Sequence, residues 1–163
     1  KLLKDNHHDI KVQIANDNSE GQIVLSGKIE ELDKLIIILK EKSIKNIKLP
    51  VSAPFHCSLM SKATNIMSEE LNKLSFIQSE NKLISNVTAN EIRDTDELKD
   101  LLIKQIENRV RWRESVINMI NNDVNHFIEI GPGKVLSGLV KRINREVKIS
   151  TINNQGDIES LEI

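Results

Sequence analysis

The chain has 163 residues, enough for one domain or part of a larger one. Its 23 basic residues against 24 acidic ones leave a formal charge of -1, which gives no reason to expect nucleic acid or an anionic membrane as a partner. The longest aliphatic run, Leu35-Ile36-Ile37-Ile38-Leu39, falls far short of the ~20 apolar residues that a membrane-spanning helix needs. A lone cysteine, Cys57, excludes an internal disulfide and fits a reducing, cytoplasmic setting.

The opening "KLLKDNHHDI" has neither the apolar core nor the small-residue cleavage site of a secretory leader. It carries no initiator Met and resembles the polar end of a helix, so the chain is expected to be cut at its N-terminus. His7-His8-Asp9 suggests a metal only superficially, because adjacent histidines in a strand point to opposite faces. "DIKVQIAN" alternates Ile10, Val12 and Ile14 with polar neighbours and predicts a half-buried strand. "NDNSEG" is a turn cluster, and "QIVLSG" predicts a second strand antiparallel to the first. Residues 28–42 carry Ile29, Leu32, Leu35, Ile36 and Leu39 on one side of a helix. "IKNIKLPVS" predicts a strand. Strand-strand-helix-strand over residues 1–52 is the last part of a ferredoxin-like unit, whose opening elements would lie upstream of Lys1.

The pattern changes after Pro54. Residues 56–74 predict a helix, "KLISNV" a short strand, and 94–107 a helix capped by Asp94 or Thr95. A helical piece over 115–121 follows, then the strand "HFIEIGPG", a helix over 134–143 and the strand "VKIST". Strands alternating with helices imply a parallel α/β arrangement over 53–163, with ligands beyond the carboxyl ends of the strands.

His56 is the leading candidate for chemistry. Pro50 and Pro54 stiffen its approach and place it where a strand gives way to a helix. A histidine there serves either as a cap or as a general base. No nucleophile for it is apparent: Cys57 and Ser58 adjoin it along the chain, Ser52 lies across Pro54, and no serine sits in a Gly-x-Ser-x-Gly elbow. "EIGPGKVLSG" fails the phosphate-loop spacing and predicts a tight turn at the active edge of the sheet. The basic groups Arg109, Arg111, Arg113 and Lys134, Lys141, Arg142 fit a solvated face or a surface that meets an acidic partner.

Four segments then converge on one family. "ANDNSEGQIVLSG", "LPVSAPFHCSLM", "LLIKQIENRVRWRESV" and "FIEIGPGKVLSGLVKRI" resemble, in order and spacing, malonyl-CoA:acyl-carrier-protein transacylase of bacterial fatty-acid synthesis. The resemblance implies an α/β-hydrolase-like subdomain with a ferredoxin-like one inserted, and an active site between them. It implies His56 as the catalytic base and Gln105 as the residue whose backbone carbonyl orients it. It places Asn16 and Asn18 beside the acyl pocket, Phe55 against α-methyl branches of the acyl group, and Lys141 and Arg142 on the surface that meets acyl carrier protein. Malonyl-CoA and the carrier's phosphopantetheine are the implied substrates, with no metal or resident cofactor. The family's "GQGSQ"-type loop, its "GHSLG" nucleophile and its malonyl-gripping arginine are not in this sequence, so the chain is expected to be the C-terminal half and inactive alone. The rival expectations are a polyketide-type acyltransferase and a non-catalytic fragment that binds carrier protein or a partner half.

Overall fold

Val12–Ser19 forms β1, opening on the half-buried Val12 and Ile14 and burying Ala15, Asp17 and Ser19, and Gln22–Gly27 returns antiparallel to it as β2. The computed structural model describes residues 10–161; the reading of His7, His8 and Asp9 lies outside them. Between the strands Gly21 takes φ 73°, a left-handed turn conformation that only glycine adopts without cost. Register shifts between Ile14 and Asn16 and between Asp17 and Ser19 bulge β1.

Helix α1, Ile29–Glu41, buries Leu35 and keeps Ile29 and Ile37 exposed. Its first turn is tied to the entry of β1, because Glu31 accepts from the Lys11 amide at 3.0 Å and from Lys34 Nζ at 2.8 Å. Residues 44–50 then run without regular structure, correcting the expected strand over 44–52. A strand needs a neighbour to complete its hydrogen-bond ladder, and none stands beside this segment among the described residues. Ile47 and Val51 are accordingly 76% and 62% exposed.

A 3-10 turn at Ser58–Met60 leads into α2, Ser61–Asn72, so the helix begins five residues after His56 rather than at it. The expected strand at 82–87 is reduced to a single antiparallel bridge, Ile84 to Glu91, with the Ser85 amide donating to the Asn90 carbonyl and the Ile92 amide to the Leu83 carbonyl, each at 2.9 Å. Helix α3, Thr95–Lys104, is capped as expected: the Asp94 carboxylate accepts from the Glu97 amide at 2.8 Å. It ends short of residue 107, and Gln105 is its C-cap. Helix α4, Trp112–Asn121, starts three residues earlier than the sequence pattern suggests.

β3, His126–Ile130, and β4, Lys148–Ile152, pair in parallel across α5, Val135–Ile143, and α6, Gln155–Glu159, follows. The architecture is mixed α/β, as expected, with one antiparallel and one parallel pair. The buried apolar residues Ala15, Val116, Leu139 and Val140 come from β1, α4 and α5, which pack against one another. Parallel sheets normally have both faces covered. Here Ile130 on β3 is 79% exposed and Val135 at the start of α5 is 73% exposed. Among the described residues no helix is long and apolar enough to cross a membrane.

Candidate active site

The stretch after Pro54 is held by hydrogen bonds at each end and in the middle. The Cys57 thiol, 1% exposed, donates to the Pro54 carbonyl at 3.1 Å. The His56 amide donates to the Ile106 carbonyl at 3.2 Å. Ser58 is bound twice by one carboxamide: its amide donates to Gln13 Oε1 at 3.0 Å, and its Oγ accepts from Gln13 Nε2 at 2.8 Å. Within this frame His56 has φ 57°. A residue with a Cβ pays on the order of 1–3 kcal/mol for such a backbone, and it persists where the surroundings over-determine it.

The imidazole is half-buried, and its Nδ1 lies 2.8 Å from the Gln105 carbonyl oxygen. A carbonyl only accepts, so Nδ1 carries the proton, and Nε2 of the neutral ring keeps its lone pair. The expected pairing of His56 with Gln105 is thus present in the geometry. The Gln105 side chain accepts from Asn86 Nδ2 at 3.2 Å, and the Asn86 carbonyl accepts from the Arg111 amide at 2.9 Å. Asn86 and Gln13 were not singled out from sequence. Nothing local marks either one, since each acts on a residue far away in the chain.

Strand β1 reaches the same region. The Val110 amide donates to the Ala15 carbonyl at 2.8 Å, and the Asp17 amide donates to the Val110 carbonyl at 2.9 Å. Asn16 and Asn18 are half-buried on β1, and neither side chain finds a hydrogen-bond partner among the described residues. Phe55, next to the imidazole, is 52% exposed.

The other nucleophile candidates are accounted for. Burial and its bond to Pro54 take Cys57 out of reach, Ser58 Oγ is engaged by Gln13, and Ser52 is exposed without a base assigned to it. The glycine turn is no anion cradle either. Glu129 accepts from the Leu136 amide at 3.1 Å and the Ser137 amide at 2.7 Å, filling the start of α5 with its own carboxylate. The Ser137 side chain beside it, then those amides, hold the Glu129 carboxyl below the ordinary carboxylate range. The Gly133 amide is taken by Asn153 Oδ1 at 2.7 Å.

The first basic group, expected on a solvated face or a surface that meets an acidic partner, is half-buried and paired with carboxylates of this chain. Arg109 and Arg111 share Glu114 at 3.1 and 2.7 Å, and Arg113 reaches the buried Asp17 at 3.3 Å. At the end of α5 Lys141 and Arg142 are both exposed, and Arg142 Nη1 donates to Gln22 Oε1 on β2.

A half-buried imidazole whose Nδ1 is held by a backbone carbonyl, on a mixed α/β fold, has the geometry that a general base requires. The comparisons with known proteins narrow this reading. The chain is 41% identical over 149 residues to the malonyl CoA-acyl carrier protein transacylase of Bacillus subtilis strain 168, an alignment covering 91% of this chain and 47% of that protein. The crystal structure of the malonyl CoA-acyl carrier protein transacylase of Clostridium perfringens superposes with a TM-score of 0.90 at 38% identity, covering 98% of this chain and 50% of that one. A solved complex of a type II PKS acyl-carrier protein with its malonyl-transacylase matches with a TM-score of 0.89 at 30% identity, over 97% and 52%. No family model matches. The resemblance read from the four motifs therefore extends over nearly the whole chain, and the chain spans about half the length of the relatives it matches.

Proposed function

We propose that this chain supplies the general-base part of a malonyl-CoA:acyl-carrier-protein transacylase. The observation that carries the reading is the 2.8 Å contact between His56 Nδ1 and the Gln105 carbonyl, which leaves Nε2 free to take a proton. A nucleophilic serine from a segment outside this sequence attacks the malonyl thioester while Nε2 accepts its proton. The CoA thiolate leaves with a proton returned from His56, giving a malonyl ester on the serine. His56 then deprotonates the carrier's phosphopantetheine thiol, whose sulfur attacks the ester and regenerates the serine hydroxyl. No metal or resident cofactor is needed for either half. Asn16, Asn18 and Phe55 line the acyl side, and Lys141 and Arg142 face the acidic carrier in the cytoplasm.

The same reading completes the fold. Residues 10–52 belong to a ferredoxin-like subdomain in which 44–50 pairs with a strand from outside this sequence. Residues 53–161 belong to an α/β-hydrolase-like subdomain whose further strands cover Ile130.

The test is malonyl transfer from labelled malonyl-CoA to carrier protein by a protein that joins this chain to a segment carrying the nucleophilic serine. Transfer that His56→Ala lowers by on the order of 10²–10⁴ supports the reading; near-normal turnover in that variant overturns it. The chain alone is expected to form no acyl-enzyme. Covalent label on Ser52, Cys57 or Ser58 would place the nucleophile here after all.

A further inference from the structure

We propose that Gln13 is a positioning residue for the His56 imidazole, an inference that rests on the reading of His56 as the base. Gln13 stands 45 positions from Ser58, yet its carboxamide matches Ser58 at both of its polar groups: Oε1 accepts from the amide at 3.0 Å and Nε2 donates to Oγ at 2.8 Å. Ser58 opens the 3-10 turn two residues after His56.

These two bonds close a circuit. From Gln13 the circuit passes along β1 to Ala15, whose carbonyl accepts from the Val110 amide at 2.8 Å. It then follows the chain back from Val110 to Gln105 and Ile106, whose carbonyls meet Nδ1 and the amide of His56 at 2.8 and 3.2 Å. The chain from His56 to Ser58 completes it. A base must sit within roughly 0.5 Å of its productive position, which neighbours with locked rotamers provide. Short stretches of chain joined by hydrogen bonds close such a ring here, with His56 in it at φ 57°. Without Gln13 the ring opens on the side of Ser58, where the next backbone bond is the local one from the Met60 amide to Cys57.

The chemistry constrains which side chains serve. Leucine has the length but neither polar atom, so both bonds are lost. Glutamate accepts from the Ser58 amide and also from Ser58 Oγ once the hydroxyl turns to donate.

The experiment reads the ring nitrogens of the 15N-labelled 163-residue chain by NMR at a pH where imidazoles are neutral. His126 serves as the internal control, its Nε2 being 2.9 Å from Ser150 Oγ. The wild-type chain is expected to show His56 in the single Nδ1–H tautomer. Gln13→Leu is expected to lose that signature and give averaged tautomer signals, with His126 unchanged, and Gln13→Glu to restore it. Ser58→Ala, which removes only the Oγ bond, covers the case in which Gln13→Leu does not fold, and should show a smaller loss. A locked tautomer in Gln13→Leu, or in Ser58→Ala where that variant stands alone, overturns the role of Gln13 and leaves the base reading intact. A wild-type ring without the Nδ1–H tautomer overturns both.

Discussion

His56 and Gln105 are joined through a backbone carbonyl, with the imidazole Nδ1 2.8 Å from the Gln105 oxygen. In a Ser-His-Asp arrangement the corresponding partner is a carboxylate, which orients the ring and also stabilises the imidazolium. A carbonyl orients the ring by the same hydrogen bond but carries no full charge, and any residue at position 105 offers one.

It follows that Gln105→Ala should be mild where His56→Ala is severe. The substitution keeps the carbonyl and removes only the side-chain bond from Asn86 at 3.2 Å. Malonyl transfer by the nucleophile-containing protein should fall by no more than about tenfold, the ceiling for one neutral hydrogen bond of roughly 0.5–1.5 kcal/mol. A loss as large as that of His56→Ala would assign the work to the Gln105 side chain.

The start of α5 offers a pH test. The Glu129 carboxyl is held below its ordinary value by the Ser137 side chain and the amides of Ser137 and Leu136. A carboxylate with a lowered pKa in the fold contributes stability that is fully present above the unfolded pKa and is lost as pH falls through the folded one. Glu129→Gln should therefore lower Tm at neutral pH, and the gap from wild type should close as the solution is acidified through the carboxylate range. Thermal melts across that range check it; a gap independent of pH would mean that the charge does not matter.

How much of this was legible in the sequence depends on where each element finds its partners. The β1–β2 hairpin, the Asp94 cap and the parallel β3–β4 pair have their determinants nearby: alternation, Gly21, an Asp before an amphipathic run, and a helix between two short strands. The pairing of His56 with Gln105 was reached through the motif match. Residues 44–52 have strand composition but no neighbouring strand among the described residues, and 82–87 meet only the short return at 90–92; composition cannot supply a longer partner. The bulky residue after Pro54 gave no sign of the left-handed φ at His56. The Gln13–Ser58 bonds join residues 45 apart by side-chain chemistry that leaves no periodic trace.

The bare segment at 44–50 makes a third prediction. Ile47 is 76% exposed, and the amides of Lys45, Ile47 and Lys48 donate no backbone hydrogen bond among the described residues. In this chain alone those amides should exchange with solvent as fast as those of an unfolded peptide. Joined to the segment that provides the neighbouring strand, they should become protected in register. Protection already present in the chain alone would show that this segment finds its partner elsewhere.

The last prediction separates two neighbouring cations at the end of α5. Both are exposed, but Arg142 alone donates to Gln22 on β2 and so joins the helix to the hairpin. Exposed charges at the rim of an interface act mainly on encounter rate and salt dependence. Lys141→Glu should raise the apparent KM for carrier protein by about fivefold at most, the equivalent of roughly 1 kcal/mol for an exposed ion pair. Acylation by malonyl-CoA should be unchanged, and the carrier effect should fade at high salt. Arg142→Leu should also weaken carrier encounter, but it removes the bond to the Gln22 carboxamide and so should lower Tm as well, which Lys141→Glu should not. Steady-state kinetics of the two half-reactions, taken with melts of both variants, decide between the outcomes. Equal loss of both half-reactions in Lys141→Glu would indicate a folding defect, and no change in carrier KM would return Lys141 to ordinary surface.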